Sequence, residues 1–244
     1  MTHIPSAERL IVALDVPTAD EARALVERLD DAVRFYKVGL ELFSAPGCFE
    51  LVAWLTGRGY KVFADLKLHD IPETVRRAVA NLRGRGPTFL TVHGHRSVMQ
   101  AAASEKGPMK ILAVTVLTSF DQRDLDEVGS AKSVEELVLA RARGAVETGC
   151  DGVIASGLEA ARLKAQFKDR LLVVTPGIRP VQKEQQKQMA DDQKRTVDVA
   201  QAFAAGADYI VVGRPIREAA DPRAAAQAIQ DTIARIFPAT GAAA

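Results

Sequence analysis

Cysteine is nearly missing from this chain. Cys48 and Cys150 are its only two, and they stand in neither C-x-x-C nor zinc-type spacing. Two isolated thiols make no disulfide framework, so a reducing cytoplasm is the expected location. Charge imbalance is also lacking: 32 basic against 31 acidic residues leave a formal net charge of +1. Nothing in that balance points to nucleic acid or an anionic membrane as a partner. No apolar run approaches the ~20 residues that span a bilayer, and the first residues lack the basic-then-apolar pattern of a signal peptide. Four motifs are missing as well: G-x-G-x-x-G after a strand, the Walker A loop, G-x-S-x-G and H-E-x-x-H. The usual nucleotide cofactors and zinc hydrolase chemistry therefore have no support. His93 and His95 are two apart, but no third ligand of suitable spacing accompanies them, so no metal site is expected.

What the chain does have is alternation. Short apolar runs at 10–14, 35–38, 60–66, 89–92, 111–117, 152–155, 171–175 and 209–212 read as eight strands. Segments of helical period lie between them. Thr18 with Glu21 has capping-box spacing ahead of Ala22, Leu25, Val26 and Leu29, and Ser133 with Glu136 repeats the device. Asp221-Pro222 reads as N-cap then first helical residue, and Gly206 suits a helix C-terminus. Low aromatic content (5%) and abundant alanine fit many short helices packed on strands. A chain of 244 residues is close to the roughly 250 of one eight-stranded α/β barrel. The predicted fold is a parallel (β/α)8 TIM barrel over residues 1–237, with 238–244 as a disordered tail. A doubly wound open sheet is the alternative, because alternation alone does not show closure.

In either fold, ligands bind at the carboxyl ends of the strands. The polar residues there are Asp15, Lys37, Asp65, Lys67, His93, Thr118, Ser156, Arg179 and Arg214. Asp65-Leu66-Lys67-Leu68-His69-Asp70 is the most informative segment. Residues two apart on a strand share a face, so Asp65 and Lys67 project together. A carboxylate beside an ammonium at the end of a core strand is costly to desolvate, and each perturbs the other's protonation. Lys67, between two acids, is the candidate proton donor. Asp70 taken alone reads as a helix cap, since Asp70-Ile71-Pro72-Glu73 has capping-box spacing before a helix over 74–82.

Lys37 and Asp15 end two further strands. Singly they read as a snorkelling lysine and a turn-capping aspartate. Together they place another cation and another anion on the same rim, and such an array can hold a lysine charged and aimed. Thr175-Pro176-Gly177-Ile178-Arg179-Pro180 and Val212-Gly213-Arg214-Pro215 end the last two strands. Glycine N–H groups and arginines in those loops suit a phosphate. Between them, 181–195 is polar and rich in glutamine, either a solvated loop or a lid.

Along essentially the whole chain these motifs resemble the orotidine 5′-phosphate decarboxylase family. They are Ala13-Leu14-Asp15, Tyr36-Lys37-Val38-Gly39, the segment 65–74, Thr91-Val92-His93, Leu117-Thr118-Ser119, 175–180 and 212–215. The resemblance implies a phosphate-binding barrel that works as a homodimer and needs neither metal nor organic cofactor. It implies that Lys67 protonates C6 of the pyrimidine and that Asp65 lies beside the substrate carboxylate. Lys37 would link ribose to the charged array, and Asp15 would bind ribose hydroxyls. Asp70, Ile71 and Thr74 would cross to the neighbouring subunit's site. Thr118 would contact the pyrimidine edge, while Arg179, Gln193, Gly213 and Arg214 would grip phosphate. The stretch before Gln193 is longer than the family's usual lid, which leaves Gln188 as a competing choice.

Two rival functions share part of this pattern. The 3-keto-gulonate 6-phosphate decarboxylases resemble the Asp-x-Lys-x-x-Asp strand but use magnesium and carry glutamate where Lys37 stands. A non-catalytic phosphate-binding barrel would need Arg179 and Arg214 but has no use for Lys67 between two acids.

Overall fold

β-branched and aromatic runs bounded by turn residues form strands here, and the capped amphipathic segments between them form helices. A computed structural model of the chain describes residues 4–179 and 195–238. In chain order the strands are β1 (Leu10–Ala13), β2 (Phe35–Gly39), β3 (Lys61–Leu68), β4 (Phe89–His93), β5 (Lys110–Val114), β6 (Gly152–Ile154), β7 (Leu172–Thr175) and β8 (Tyr209–Val212). Each pairs in parallel with the next. β1 pairs with β8 through Leu10 and Ile210, Ile11 and Val211, and Val12 and Val212, so the sheet closes and the open-sheet alternative falls.

Helices follow the strands and cover the barrel. β1 leads to α1 (Ala19–Leu29), and β2 to α2 (Leu40–Phe43) and α3 (Cys48–Gly57). β3 leads to α4 (Pro72–Arg83), and β4 to α5 (Arg96–Glu105). β5 leads to α6 (Gln122–Glu127) and α7 (Val134–Thr148), and β6 to α8 (Gly157–Phe167). β7 precedes α9 (Val199–Ala204), and β8 leads to α10 (Arg214–Arg217) and α11 (Pro222–Ile236). Three of the expected caps are present. The Thr18 side chain accepts from Glu21 N, Ser133 and Glu136 form a reciprocal capping box, and Asp221 accepts from Ala224 N. No helix among the described residues is long and apolar enough to cross a membrane.

Alternation along each strand sorts the core into two shells. Leu10, Val12 and Leu14 face α1 and α11 outside the barrel, whereas Ile11 and Ala13 face its interior. The interior is plugged by Phe35, Phe63, Phe89 and Tyr209, with the Phe35 and Phe89 rings 4.9 Å apart and Tyr209 edge-on to Phe89 at 5.1 Å. Removing one such buried ring would cost about 3–5 kcal/mol.

Two strands end more than one residue away from the sequence expectation. β5 stops at Val114 instead of continuing to 117, because the carbonyls of Thr115, Val116 and Leu117 accept from arginine side chains. β3 runs on to Leu68 through a bulge: Ala64 is opposite Leu90, yet Leu68 is opposite Val92.

Candidate active site

The interior face that is apolar at the bottom of the barrel turns polar at the top. Asp15 follows Ile11 and Ala13, Lys37 follows Phe35, Asp65 and Lys67 follow Phe63, and Thr91 follows Phe89. A period of two thus delivers a charged rim above an aromatic floor. The rim encloses a cavity of about 320 Å³ lined by Asp15, Lys37, Asp65, Lys67, Thr118, Arg179, Gly213 and Arg214, among others.

Charge alternates across this rim. Lys37 Nζ lies 2.7 Å from Asp15 Oδ1 and 3.6 Å from Asp65 Oδ2, and Lys67 Nζ lies 2.9 Å from the same Asp65 oxygen. The other Asp65 oxygen accepts from Thr91 Oγ1 at 2.9 Å. Asp65 is nearly enclosed, with its side chain 13% exposed, against 37% for Lys67. Burial is the largest influence on the Asp65 carboxyl and pushes its pKa up. The charges of Lys37 and Lys67, with hydrogen bonds from Lys67 and Thr91, together outweigh it and hold the pKa below the ordinary value. Asp65 is therefore a fixed anion.

Lys67 is held in an unusual backbone state. Its φ is +48°, in the left-handed region that disfavours side chains with a Cβ. Such a conformation costs about 1–3 kcal/mol and persists where the surroundings over-determine it. Here the bulge supplies the surroundings. Lys67 N donates to Thr91 Oγ1 at 3.0 Å, so one threonine hydroxyl ties both the lysine backbone and the aspartate. Simple strand alternation had placed Asp65 and Lys67 on one face. The two do meet, but across a bulge rather than along a regular strand.

Sequence reasoning gave Thr91 no role. Its signal was present: a threonine on the interior face, two residues after the plug residue Phe89, fully buried. Gly39 was also passed over. A Cβ there would meet Lys37 Nζ at 2.9 Å and Asp15 Oδ1 at 3.1 Å, so glycine leaves the space the ion pair occupies. Arg217 on α10 donates to the Asp15 carbonyl and fixes the first acid from behind.

On the far side of the cavity, Gly177 has φ +77° and lets the β7 loop turn sharply. Arg179 N donates to Val197 O at 3.0 Å, and Val197 N donates to Gly177 O at 3.3 Å, pinning the loop that carries Arg179. Gly213 and Arg214 follow β8 directly. Two arginines and two glycines thus line the same cavity as the Asp/Lys array.

Asp70, Ile71 and Thr74 do not line this cavity; all three are exposed, Ile71 to 68%. Nor is Asp70 a helix cap. Ile71 occupies the N-cap position of α4, Asp70 Oδ1 accepts instead from the adjacent Ile71 N at 2.6 Å, and Glu73 pairs with Arg76 and Arg77. Pro72 at the first helical position moves the helix start past Asp70. Ser156 turns away to cap α8 and bond Glu159. His93 packs against His69, whose ring stacks on His95 at 4.7 Å. Among the described residues no group of three ligands is arranged for a metal. Gln188 and Gln193, and the tail beyond Pro238, lie outside the described residues.

Comparison with known proteins places this geometry. Residues 8–229 match the family model described as orotidine 5′-phosphate decarboxylase / HUMPS family. The chain is 59% identical to orotidine 5′-phosphate decarboxylase of Methylococcus capsulatus, over 97% of this chain and 96% of the relative. It is 52% identical to the Rhodopseudomonas palustris (strain HaA2) protein of the same name, over 93% and 95% of the two chains. The crystal structure of orotidine 5′-phosphate decarboxylase from Lactobacillus acidophilus superposes with a TM-score of 0.80 at 37% identity, covering 93% of this chain and 99% of that one. The chain belongs to the orotidine 5′-phosphate decarboxylase family.

Proposed function

We propose that this protein converts orotidine 5′-monophosphate to UMP and CO2 in pyrimidine biosynthesis, with Lys67 protonating C6 and no metal or organic cofactor taking part. The activity is the one its family and close relatives are named for. The observation that carries the residue roles is the position of Lys67 Nζ, 2.9 Å from a buried carboxylate and open to the cavity.

Loss of CO2 from a ring carbon without an electron sink leaves a carbanion-like centre. A fixed ammonium beside that carbon stabilises the developing charge and then supplies the proton. Asp65 aims Lys67 through their 2.9 Å pair and lies beside the substrate carboxylate. Lys37 and Asp15, paired at 2.7 Å, take the ribose hydroxyls. Thr118 meets the pyrimidine edge. Arg179, Gly213 and Arg214 hold the phosphate, whose distance from the reacting bond makes its binding energy available to the transition state. Gln193 is assigned to the same phosphate.

The reading includes a homodimer in which Asp70, Ile71 and Thr74 enter the neighbouring cavity. Their exposure, beside the strand that carries Lys67, supports that assignment. It also takes residues 1–237 as one barrel domain working in the cytoplasm, which suits two buried free thiols.

The test is turnover of orotidine 5′-monophosphate, followed by its ultraviolet change with EDTA present. Undiminished turnover is expected. No activity, or activity restored only by Mg2+, overturns the reading.

A further inference from the structure

The segment that carries Thr118 belongs to no strand, yet the three carbonyls leading into it are all engaged. Thr115 O accepts from Arg141 Nη1, and Val116 O and Leu117 O both accept from Arg195 Nη2, at 3.2 and 3.0 Å. Two guanidiniums from distant parts of the chain thus take the place of a strand partner for three successive peptide groups. Leu117, Thr118 and Ser119 line the cavity immediately afterwards.

Both arginines are built in. Arg195 and its partner Glu159 have side chains only 10% exposed, and Ser156 Oγ donates to the other Glu159 oxygen. A buried cation needs such a counter-charge, or its desolvation would expel it. Arg141 reaches its carbonyl past Gly94, where a Cβ would meet Val114 O at 2.7 Å and Arg141 Cδ at 2.8 Å. That glycine has the space of the arginine stem as its physical reason.

The geometry points to Arg195 and Arg141 as positioning residues that set the Thr118 segment at the height where it reads the base of the nucleotide. Neither lines the cavity. Their action passes through the peptide carbonyls of residues 115–117. The planar fork of arginine matters in this role, since one end meets Glu159 while the other bridges two carbonyls; a lysine ammonium keeps the charge but cannot span both.

The inference rests on the reading that Thr118 contacts the pyrimidine, and the experiment separates the two. UMP and ribose 5-phosphate, which shares sugar and phosphate but lacks the base, are titrated calorimetrically into wild type, Thr118→Val, Arg195→Lys and the double variant. Arg195→Lys is expected to weaken UMP about tenfold, the scale of one charge-assisted hydrogen bond, and to change ribose 5-phosphate by less than about twofold. Thr118→Val should do the same, and the double variant should lose little more than either, because both act on one contact. Equal weakening of both ligands by Arg195→Lys, or no weakening of UMP, overturns the inference if Thr118→Val still weakens UMP selectively. An unaffected Thr118→Val overturns the reading of Thr118 and the inference with it. If Arg195→Lys does not fold, Arg141→Lys makes the same test at the other end of the segment: selective weakening of UMP supports the inference, and equal weakening or none overturns it.

Discussion

Lys37 and Lys67 share one oxygen of Asp65, at 3.6 and 2.9 Å. Two like charges are therefore brought together by a single buried anion, and their charges in turn offset the cost of burying it. Replacing it by the isosteric amide in Asp65→Asn leaves two ammonium groups facing a neutral side chain. We expect a loss of about 1–3 kcal/mol in denaturant unfolding, less than for a fully buried pair because Lys67 remains partly solvated and Lys37 retains Asp15. Unchanged stability would show that the array is not held together by Asp65.

The backbone of Lys67 separates its chemical role from its structural one. Lys67→Ala should nearly abolish turnover and leave UMP binding within about threefold, since the ammonium acts on the transition state more than on the bound product. Lys67→Gly removes the same ammonium but accepts φ +48° without strain. It should therefore be more stable than Lys67→Ala by about 1–2 kcal/mol. Near-normal turnover in either variant excludes Lys67 as the proton donor.

Gly39→Ala tests the geometry of the ion pair without touching a charge. The new methyl would sit 2.9 Å from Lys37 Nζ, too close for both to stay. Displacement of the lysine should cut kcat/KM by more than about tenfold, the sensitivity expected of misplaced positioning groups. The fold should survive, because the far end of a lysine can move. Wild-type kinetics would mean that Lys37 does not need its observed position.

Much of this site was legible because the β/α period and the placement of ligands at strand ends are both sequence properties. Asp15, Lys37 and Asp65 fall where alternation sends them, and the eight strand runs lie close to the observed strands. Thr91 was missed because a threonine inside an apolar run looks like ordinary β propensity. Only the fold shows it bridging Lys67 N and Asp65. The bulge at Lys67 and the early end of β5 were illegible for one reason: in each, a side chain distant in sequence replaces a backbone partner. The capping-box spacing of Asp70, taken alone, suggests a cap that does not form, because Pro72 fixes the helix start further on.

Acid should destabilise the protein in two stages. His93 is held down at about 4 from an ordinary 6.5, by burial first and then by His69, Arg141, His95 and Lys67. The unfolded chain thus takes up this proton before the folded one does. Stability is full above pH 6.5 and falls as pH drops from 6.5 towards about 4. Asp65, depressed below 3.8, adds a further loss below that pH for the same reason. His93→Asn should flatten the slope of unfolding free energy between pH 6.5 and 4, leaving a remainder from His95, which burial, Arg141 and His69 also depress. An unaltered slope would mean that His93 binds its proton equally well in the folded and unfolded chain.

The proposed assembly makes its strongest demand on Asp70. Ile71 is a large apolar side chain 68% exposed beside it, and Leu40 is 65% exposed at the end of the neighbouring strand. Apolar exposure on this scale beside a charged rim suits a second copy of the chain. Ile71→Asp should shift sedimentation towards monomer and lower turnover in a way that higher protein concentration restores. Mixing two inactive variants gives the sharper result. In a heterodimer of Asp70→Asn with Lys67→Ala, one cavity combines an intact Lys67 with the partner's intact residue at 70, and the other holds both defects. Random reassociation makes half the dimers hybrid with half their sites restored, so about one quarter of wild-type activity should return. If each subunit completed its own site, the mixture would stay as inactive as its components.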